Sequence, residues 1–304
     1  MCFVIKTFKY CIVYIIKYII IKKFNNIYSS QQLIIATKHG KEKVISPLFE
    51  KSINVKCIVP DNFNTDLFGT FTGEIERTLD PISTIRKKCL SAMNLFNCEL
   101  GVASEGSFGP HPTLGFVNVD EELIIFIDKK NKIEVLAREL SLKTNFDGQD
   151  VFSELELIEF AKRSKFPSHG LILKAKHNNR LEIFKDFKNL KELKLTFNNL
   201  IKNGYNINIE TDMRAMNNPT RMKVIQLATK KLIEKLKTHC PNCNMIGFEI
   251  VEAISGLPCQ LCAMPTRSTL KHIYACKKCN FKKEKTYPHK KLTEDPMYCD
   301  FCNP

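Results

Sequence analysis

Four CxxC pairs dominate the end of the chain: Cys240/Cys243, Cys259/Cys262, Cys276/Cys279 and Cys299/Cys302. A CxxC turn presents two thiolates to one ion, and four thiolates complete a tetrahedral shell around Zn²⁺. Eight such sulfurs predict two structural zinc ions. Fifteen residues separate the first two pairs and nineteen the last two. Both gaps suit a zinc ribbon, so the expected pairing is sequential: Cys240, Cys243, Cys259 and Cys262 on one ion, Cys276, Cys279, Cys299 and Cys302 on the other. Interleaving, with the first pair joining the third, is the alternative. A closed four-sulfur site has no open position, so it carries structure rather than catalysis.

Four polar, turn-rich segments upstream hold the remaining residues capable of chemistry. Thr37-Lys-His-Gly-Lys41 follows a short apolar run, and its His39 and Lys41 suit an anion at a helix N-terminus. Asn64–Thr72 offers Asp66 beside Gly69. Ala103–Pro112 offers Glu105 and His111 among Gly106, Gly109 and two prolines, a set able to hold a divalent metal or share acid–base work. Glu210–Met222 offers Asp212, Arg214 and Arg221, and guanidinium pairs suit phosphate or carboxylate recognition. His39, Asp66, Glu105, His111 and Asp212 are the candidate catalytic residues; Lys41, Arg214 and Arg221 are the candidate ligand-binding residues. Each segment also has a purely structural reading: a surface turn, a rigid Gly/Pro loop with a capping histidine, or an Asp–Arg pair that fixes packing.

The elements that must position these residues alternate. Leu33–Ala36 and Asn54–Val59 read as strands flanking a helix over about 41–51. Helical spacing returns over 82–96, with strands expected at 101–104, 123–127 and 132–136. Ser153 and Glu156 form a capping box for a helix over 154–165. A strand is expected at 171–174, a mostly helical stretch over 184–202, a strand at 206–210, and a helix from Pro219 to about Lys237 behind an Asn218 cap. This order predicts an α/β body in a Rossmann-like three-layer arrangement over residues 31–237, followed by a small double zinc ribbon over 238–304.

The 304 residues carry 13 cysteines and a formal net charge of +14. Thiolates bound to two Zn²⁺ lower that total to about +10, basic enough to tolerate a polyanion. Paired CxxC knuckles read as metal ligands rather than disulfides, which implies a reducing, cytoplasmic compartment. Residues 1–30 contain the run YCIVYIIKYIII, interrupted by Lys17, whereas a spanning helix needs about 20 mostly apolar residues. The leading expectation is an extended start outside the core, without a membrane role; an interfacial or anchoring segment and a buried element are the alternatives.

The runs ATKHGKEKVISPLFE (36–50), NFNTDLFGTFTGEI (62–75), ASEGSFGPHP (103–112), TNF (144–146) and IETDMRAMNNPTRM (209–222) resemble an uncharacterised, mainly bacterial family. So do the knuckles GLPCQLC (256–262) and DPMYCDFCNP (295–304). The resemblance spans Leu33 to Pro304 and implies zinc and an intracellular location, but no activity.

Two functions follow from the residues. One is an enzyme acting on an anionic or phosphate-containing small molecule by metal-assisted hydrolysis or phosphoryl transfer, with a further divalent metal. The other is a non-catalytic protein- or nucleic-acid-binding module. In that reading the basic stretch 276–291, with seven Lys and one acid, contacts phosphates, and Phe281 and Tyr287 stack on bases.

Overall fold

The apolar run Leu33–Ala36 shows no polar alternation, the pattern of a strand covered on both faces. It forms an interior strand of a sheet, paired on both sides. The computed structural model describes residues 27–60, 63, 79–178 and 180–304. These fall into two compact units, one running to Ile127 and again over Leu136–Lys231, the other made of Asp128–Val135 and Leu232–Pro304. The first is a mixed α/β unit with two sheets.

In the first sheet β1 (Gln32–Ala36) pairs in parallel with β2 (Lys56–Ile58) on one side and β3 (Leu100–Pro110) on the other. The order is β2-β1-β3-β4-β5, with β4 at Asn118–Asp128 and β5 at Ile133–Ser141. Helix α1 (Glu42–Ile53) buries Ile45, Phe49 and Ile53, and Phe49 stacks on Phe126 at 6.3 Å. Helix α2 (Pro81–Leu95) starts at Asp80, whose carboxylate accepts from the amides of Ile82 and Ser83, and Pro81 suits its first turn. It buries Ile85, Cys89, Ala92 and Met93 in a cluster with Ile34, Ala36, Ala103, Ile125 and Ile127. Successive strand residues face opposite ways, so Phe126 and the Ile125/Ile127 pair place α1 and α2 on opposite faces.

The second sheet, with order β6-β9-β7-β8, is wholly antiparallel. Its strands are β6 (Gly148–Val151), β7 (Leu171–His177), β8 (Arg180–Phe184) and β9 (Asn206–Thr211). Helices α3 (Glu154–Arg163) and α4 (Leu190–Lys202) cross between them and close a core of Leu157, Phe160, Leu173, Leu193, Phe197 and Ile209. The body thus holds two sheets, with parallel pairing at β2-β1-β3.

Local expectations shift in three places. The helix expected from residue 184 starts only at Leu190, because Asn189 caps it and β8 pairs with β7 from Arg180 to Phe184. The Gly/Pro-rich stretch 103–112 is mostly strand, since β3 continues through it to Pro110. The boundary expected at residue 31 also moves back: Tyr28 is buried, edge-on to Phe126 at 5.6 Å. The apolar run at 10–21 and the Asp66 segment lie outside the described residues. Among those described, no helix is long and apolar enough to cross a membrane.

Helix α5 (Pro219–Leu236) begins as expected, with the Asn218 side chain accepting from the Arg221 amide at 3.0 Å. The second unit is built on a three-stranded antiparallel sheet, β10 (Glu249–Ser255), β11 (Thr269–Ala275) and β12 (Lys282–Thr286), in that order.

Candidate functional site

Each cysteine knuckle closes on its own backbone. The amide four residues after the first cysteine donates back to that cysteine's carbonyl: Asn244 to Cys240 (2.8 Å), Ala263 to Cys259 (3.0 Å), Asn280 to Cys276 (2.9 Å) and Asn303 to Cys299 (2.9 Å). Asn244, Ala263 and Asn280 adopt φ near +60° to do so, a conformation asparagine tolerates better than alanine. Amides also point at sulfur, as Leu261 N–H does at Cys259 Sγ (3.4 Å). The Phe281 backbone amide and then the Asn242 side chain hold the Cys279 thiol down to about 6. Amides of Cys262 and then Leu261 hold Cys259 near 7 against the effect of burial. Within the same sets the opposite holds for Cys243, pushed up to about 12 first by burial, and for Cys302, pushed up to about 12 first by its contact with Cys262.

The knuckles group as Cys240, Cys243, Cys276 and Cys279, and as Cys259, Cys262, Cys299 and Cys302. This overturns the sequential pairing: the first pair joins the third and the second joins the fourth. Strand geometry forces it. Seven residues of β10 span roughly 20 Å, so the knuckle before β10 and the one after it cannot share an ion. Antiparallel pairing sets Glu249 opposite Ala275, which carries the end of β11 and the third knuckle back to the first. Strand β12 then runs the other way, with Lys271 opposite Thr286, and returns the chain towards the second knuckle, where Glu294 bridges Cys259.

The sulfurs fit zinc. With Zn–S near 2.3 Å, a regular tetrahedron has edges of about 3.8 Å. The Sγ–Sγ separations are 3.6 Å for Cys240–Cys279 and for Cys243–Cys276. They are 3.8 Å for Cys259–Cys302 and 3.6 Å for Cys262–Cys299. A disulfide needs about 2.05 Å. The module therefore has two four-cysteine clusters able to hold two structural zinc ions. Under the first cluster lie Phe248, Tyr274, Met245 and Phe281, too little apolar surface to fold without metal.

A second concentration of chemistry lies in the first unit, where β1 ends and β3 continues. Lys41, Lys88, Glu105, Asp120, Glu122 and Arg221 are all buried. Glu122 accepts from Arg221 Nε at 2.6 Å, Arg221 also donates to the Met213 carbonyl, and its guanidinium lies 5.0 Å from the centre of the Phe108 ring. Gly106 makes room, since a Cβ there would come within 2.5 Å of both Arg221 and Glu122. Lys41 Nζ donates to the Ser104 hydroxyl (3.0 Å) and carbonyl (3.3 Å). Glu105 pairs with Lys88 of α2.

Burial pulls the Lys41 ammonium down to about 7, with the Arg221 charge adding to the effect and Glu122 opposing it. Burial likewise pushes the Asp120 carboxyl up to about 8, helped by Glu122 and opposed by Arg221 and Lys41. Among the described residues, neither Asp120 oxygen, nor Glu122 Oε2, nor the Thr37 hydroxyl has a hydrogen-bond partner. Unpartnered buried groups cost free energy, so each calls for a partner such as a ligand, an ion or a water.

A domain of unknown function, DUF6671, matches residues 88–304, more than two thirds of the chain. The chain belongs to the DUF6671 family. No curated protein matches it. The DUF6671 match takes in both four-cysteine clusters and five members of the charged group, Lys88, Glu105, Asp120, Glu122 and Arg221; it leaves out β1 and Lys41.

Of the site residues expected from sequence, Lys41, Glu105 and Arg221 come together. His39 is half-buried in the β1–α1 loop. Arg214 and Asp212 form a neighbouring ion pair: Asp212, itself buried, accepts from Arg214 Nε (3.1 Å) and Nη2 (2.7 Å) and from Asn217 (2.7 Å), and Arg214 also reaches Asp186 (2.7 Å). This satisfies the turn before α5. His111 accepts from the amides of Thr113 and Leu114 at 3.1 Å and caps its own turn. Among the described residues, only the two cysteine sets gather three or more metal-ligating side chains. Sequence reading missed Lys88, Asp120 and Glu122. The available signal was the acidic pair at 120 and 122 leading into the apolar run 123–127, two positions apart and so on one strand face.

Proposed function

We propose that the body is an enzyme-like, small-molecule-binding domain that takes an anionic, phosphate- or carboxylate-bearing ligand at the C-terminal end of β1. The observation that carries this reading is the burial of six ionisable side chains there, two of them with unpartnered carboxylate oxygens. The strand order supports the place. The chain moves from β1 to β2 on one side and then to β3 on the other, with α1 and α2 on opposite faces; such a switch point is where open α/β sheets bind ligands. In this reading the Rossmann-like arrangement is local to β2-β1-β3. Arg221 and Lys41 face the anion. Arg214, Asp212 and His111 fix turns around it. The zinc module over 238–304 is structural, and the thiol-rich chain works in a reducing, cytoplasmic compartment. The described cysteines are all free, in keeping with that setting.

Thermal shift with orthophosphate, pyrophosphate and small carboxylates tests the proposal. Stabilisation by one of them that Lys41→Met abolishes is the expected result. Absence of stabilisation by all three in the wild type removes the anion site.

One observation favours a second reading, nucleic-acid binding through residues 276–291. Every residue of β12 is exposed, Lys282, Lys283 and Lys285 among them. The charge is partly spent, because Lys277 pairs with Glu249 and Lys291 with Glu294. Phe281 packs against Phe248 at 6.1 Å, which leaves Tyr287 as the aromatic for stacking. Anisotropy of a labelled single-stranded oligonucleotide tests this. Affinity should fall steeply with salt as counterions are released, and absence of binding at low salt rejects the reading.

A further inference from the structure

Lys41 has the surroundings of a neutral amine. Its side chain is buried at the first turn of α1, directly after Gly40 with φ +71°. Its two acceptors are the carbonyl and hydroxyl oxygens of Ser104, matching the two N–H bonds of an uncharged amine and leaving one lone pair. Two cations press on it from different elements, Arg221 from α5 and Lys88 from α2; Glu122 of β4 and Glu105 of β3 oppose them. Those carboxylates are already engaged by Arg221 and Lys88 respectively. Desolvation beside other cations is the arrangement that activates a lysine as a nucleophile. Asp120 of β4 lies within electrostatic reach of Lys41, and burial keeps its carboxyl protonated at neutral pH.

We propose that Lys41 is an amine nucleophile that condenses with the carbonyl group of an anionic aldehyde or keto acid to form an imine, with Asp120 as the acid. The Lys41 nitrogen forms a bond to the carbonyl carbon, and an amine proton moves to the oxygen, giving a carbinolamine. The C–O bond then breaks, and the oxygen leaves as water with the proton from Asp120. The resulting iminium returns its N–H proton to Asp120. The net change is loss of one water, with no change of oxidation state. This rests on the anion site proposed above, with Arg221 facing the ligand's carboxylate or phosphate.

Glyoxylate with cyanoborohydride, applied to the metal-loaded full chain, tests the proposal; reduction of the imine leaves a carboxymethyl group that peptide mapping locates. An ordinary lysine, with pKa about 10.4, is only about 0.1% neutral near pH 7.5, whereas Lys41 is largely neutral there. Even after a loss for lower basicity and burial, Lys41 should react at least about tenfold faster than Lys38 or Lys43. Its rate should level off above about pH 8, while surface lysines continue to rise towards pH 10. Asp120→Asn should slow labelling of Lys41 roughly tenfold or more and leave Lys38 unchanged. Labelling of Lys41 no faster than of Lys38 overturns the proposal, and because this is read in the wild type, it does not depend on any variant folding. Orthophosphate separates the two readings. If it raises the melting temperature while Lys41 shows no preference, the amine reading fails and the anion site stands. If Lys41 is labelled preferentially and none of orthophosphate, pyrophosphate and the small carboxylates slows this or shifts melting, the amine reading stands and the anion site fails.

Discussion

Replacing one cysteine from each of two knuckles turns the pairing into a count of ions. Cys243 lies 3.6 Å from Cys276, and the cluster containing Cys259 is a different one. Cys243→Ser removes one of four thiolates from a site whose apparent binding free energy, by analogy with zinc-finger peptides, is about 10–16 kcal/mol. The local core of Phe248, Met245, Tyr274 and Phe281 buries about three side chains' worth of apolar surface, about 6 kcal/mol at best before chain entropy is subtracted. It cannot hold the lobe together alone, so the first ion should be lost and the second kept. Once one ligand has gone, losing another from the same cluster costs no further ion. The double variant Cys243→Ser/Cys276→Ser should therefore retain one zinc per chain, and Cys243→Ser/Cys259→Ser none. Sequential pairing predicts the reverse for both. Inductively coupled plasma mass spectrometry on natively purified protein gives the counts, with the wild type expected at two. Tetrahedral sulfur also suits iron, which the same measurement distinguishes. Retention of one ion by Cys243→Ser/Cys259→Ser, with none in Cys243→Ser/Cys276→Ser, would refute the strand argument.

Three further outcomes follow from single contacts. Ala263 occupies φ +59°, where an L-residue with a Cβ is strained by about 1–2 kcal/mol; Ala263→Gly should raise stability by roughly 0.5–1 kcal/mol in chemical denaturation at saturating zinc. Arg221→Met leaves Glu122 buried without its partner and should cost about 3–5 kcal/mol, much of it recovered in Arg221→Met/Glu122→Leu, as a denaturation cycle would show. The third outcome is a pair of opposed pH limbs. Asp120 has its folded pKa raised, so between about pH 4 and 8 the folded state binds the extra proton and stability falls with rising pH; Asp120→Asn should flatten that limb. Lys41 has its folded pKa lowered, so above about pH 7, up to the ordinary lysine value, the unfolded state binds the extra proton and stability rises with pH; Lys41→Met should flatten that limb in melts taken across the range.

Short-range chemistry made much of this protein legible in one dimension. The eight zinc ligands follow from CxxC spacing, because a knuckle is a local turn whose hydrogen bonds span four residues, as Asn244 to Cys240 does. The start of α5 follows from Asn218-Pro219, and that of α3 from Ser153 and Glu156, since caps act within one turn. The partner of each knuckle was a different matter. It depends on β10, β11 and β12 reversing direction, which links residues 33 to 43 positions apart and is invisible to spacing alone. The charged cluster lies still further out of reach. Arg221 meets Glu122 across 99 residues, and Lys41 meets Ser104 across 63. The residue types announced that these groups could bind an anion or move a proton. Burial chose among them: it paired Arg214 with Asp212 and turned His111 back on its own turn. It also placed Asp120, an unremarked acid in the sequence, where desolvation holds its proton near neutral pH. Hydrogen bonds within a turn belong to the local chain, whereas desolvation belongs to everything packed around a group, and only the tertiary structure supplies that.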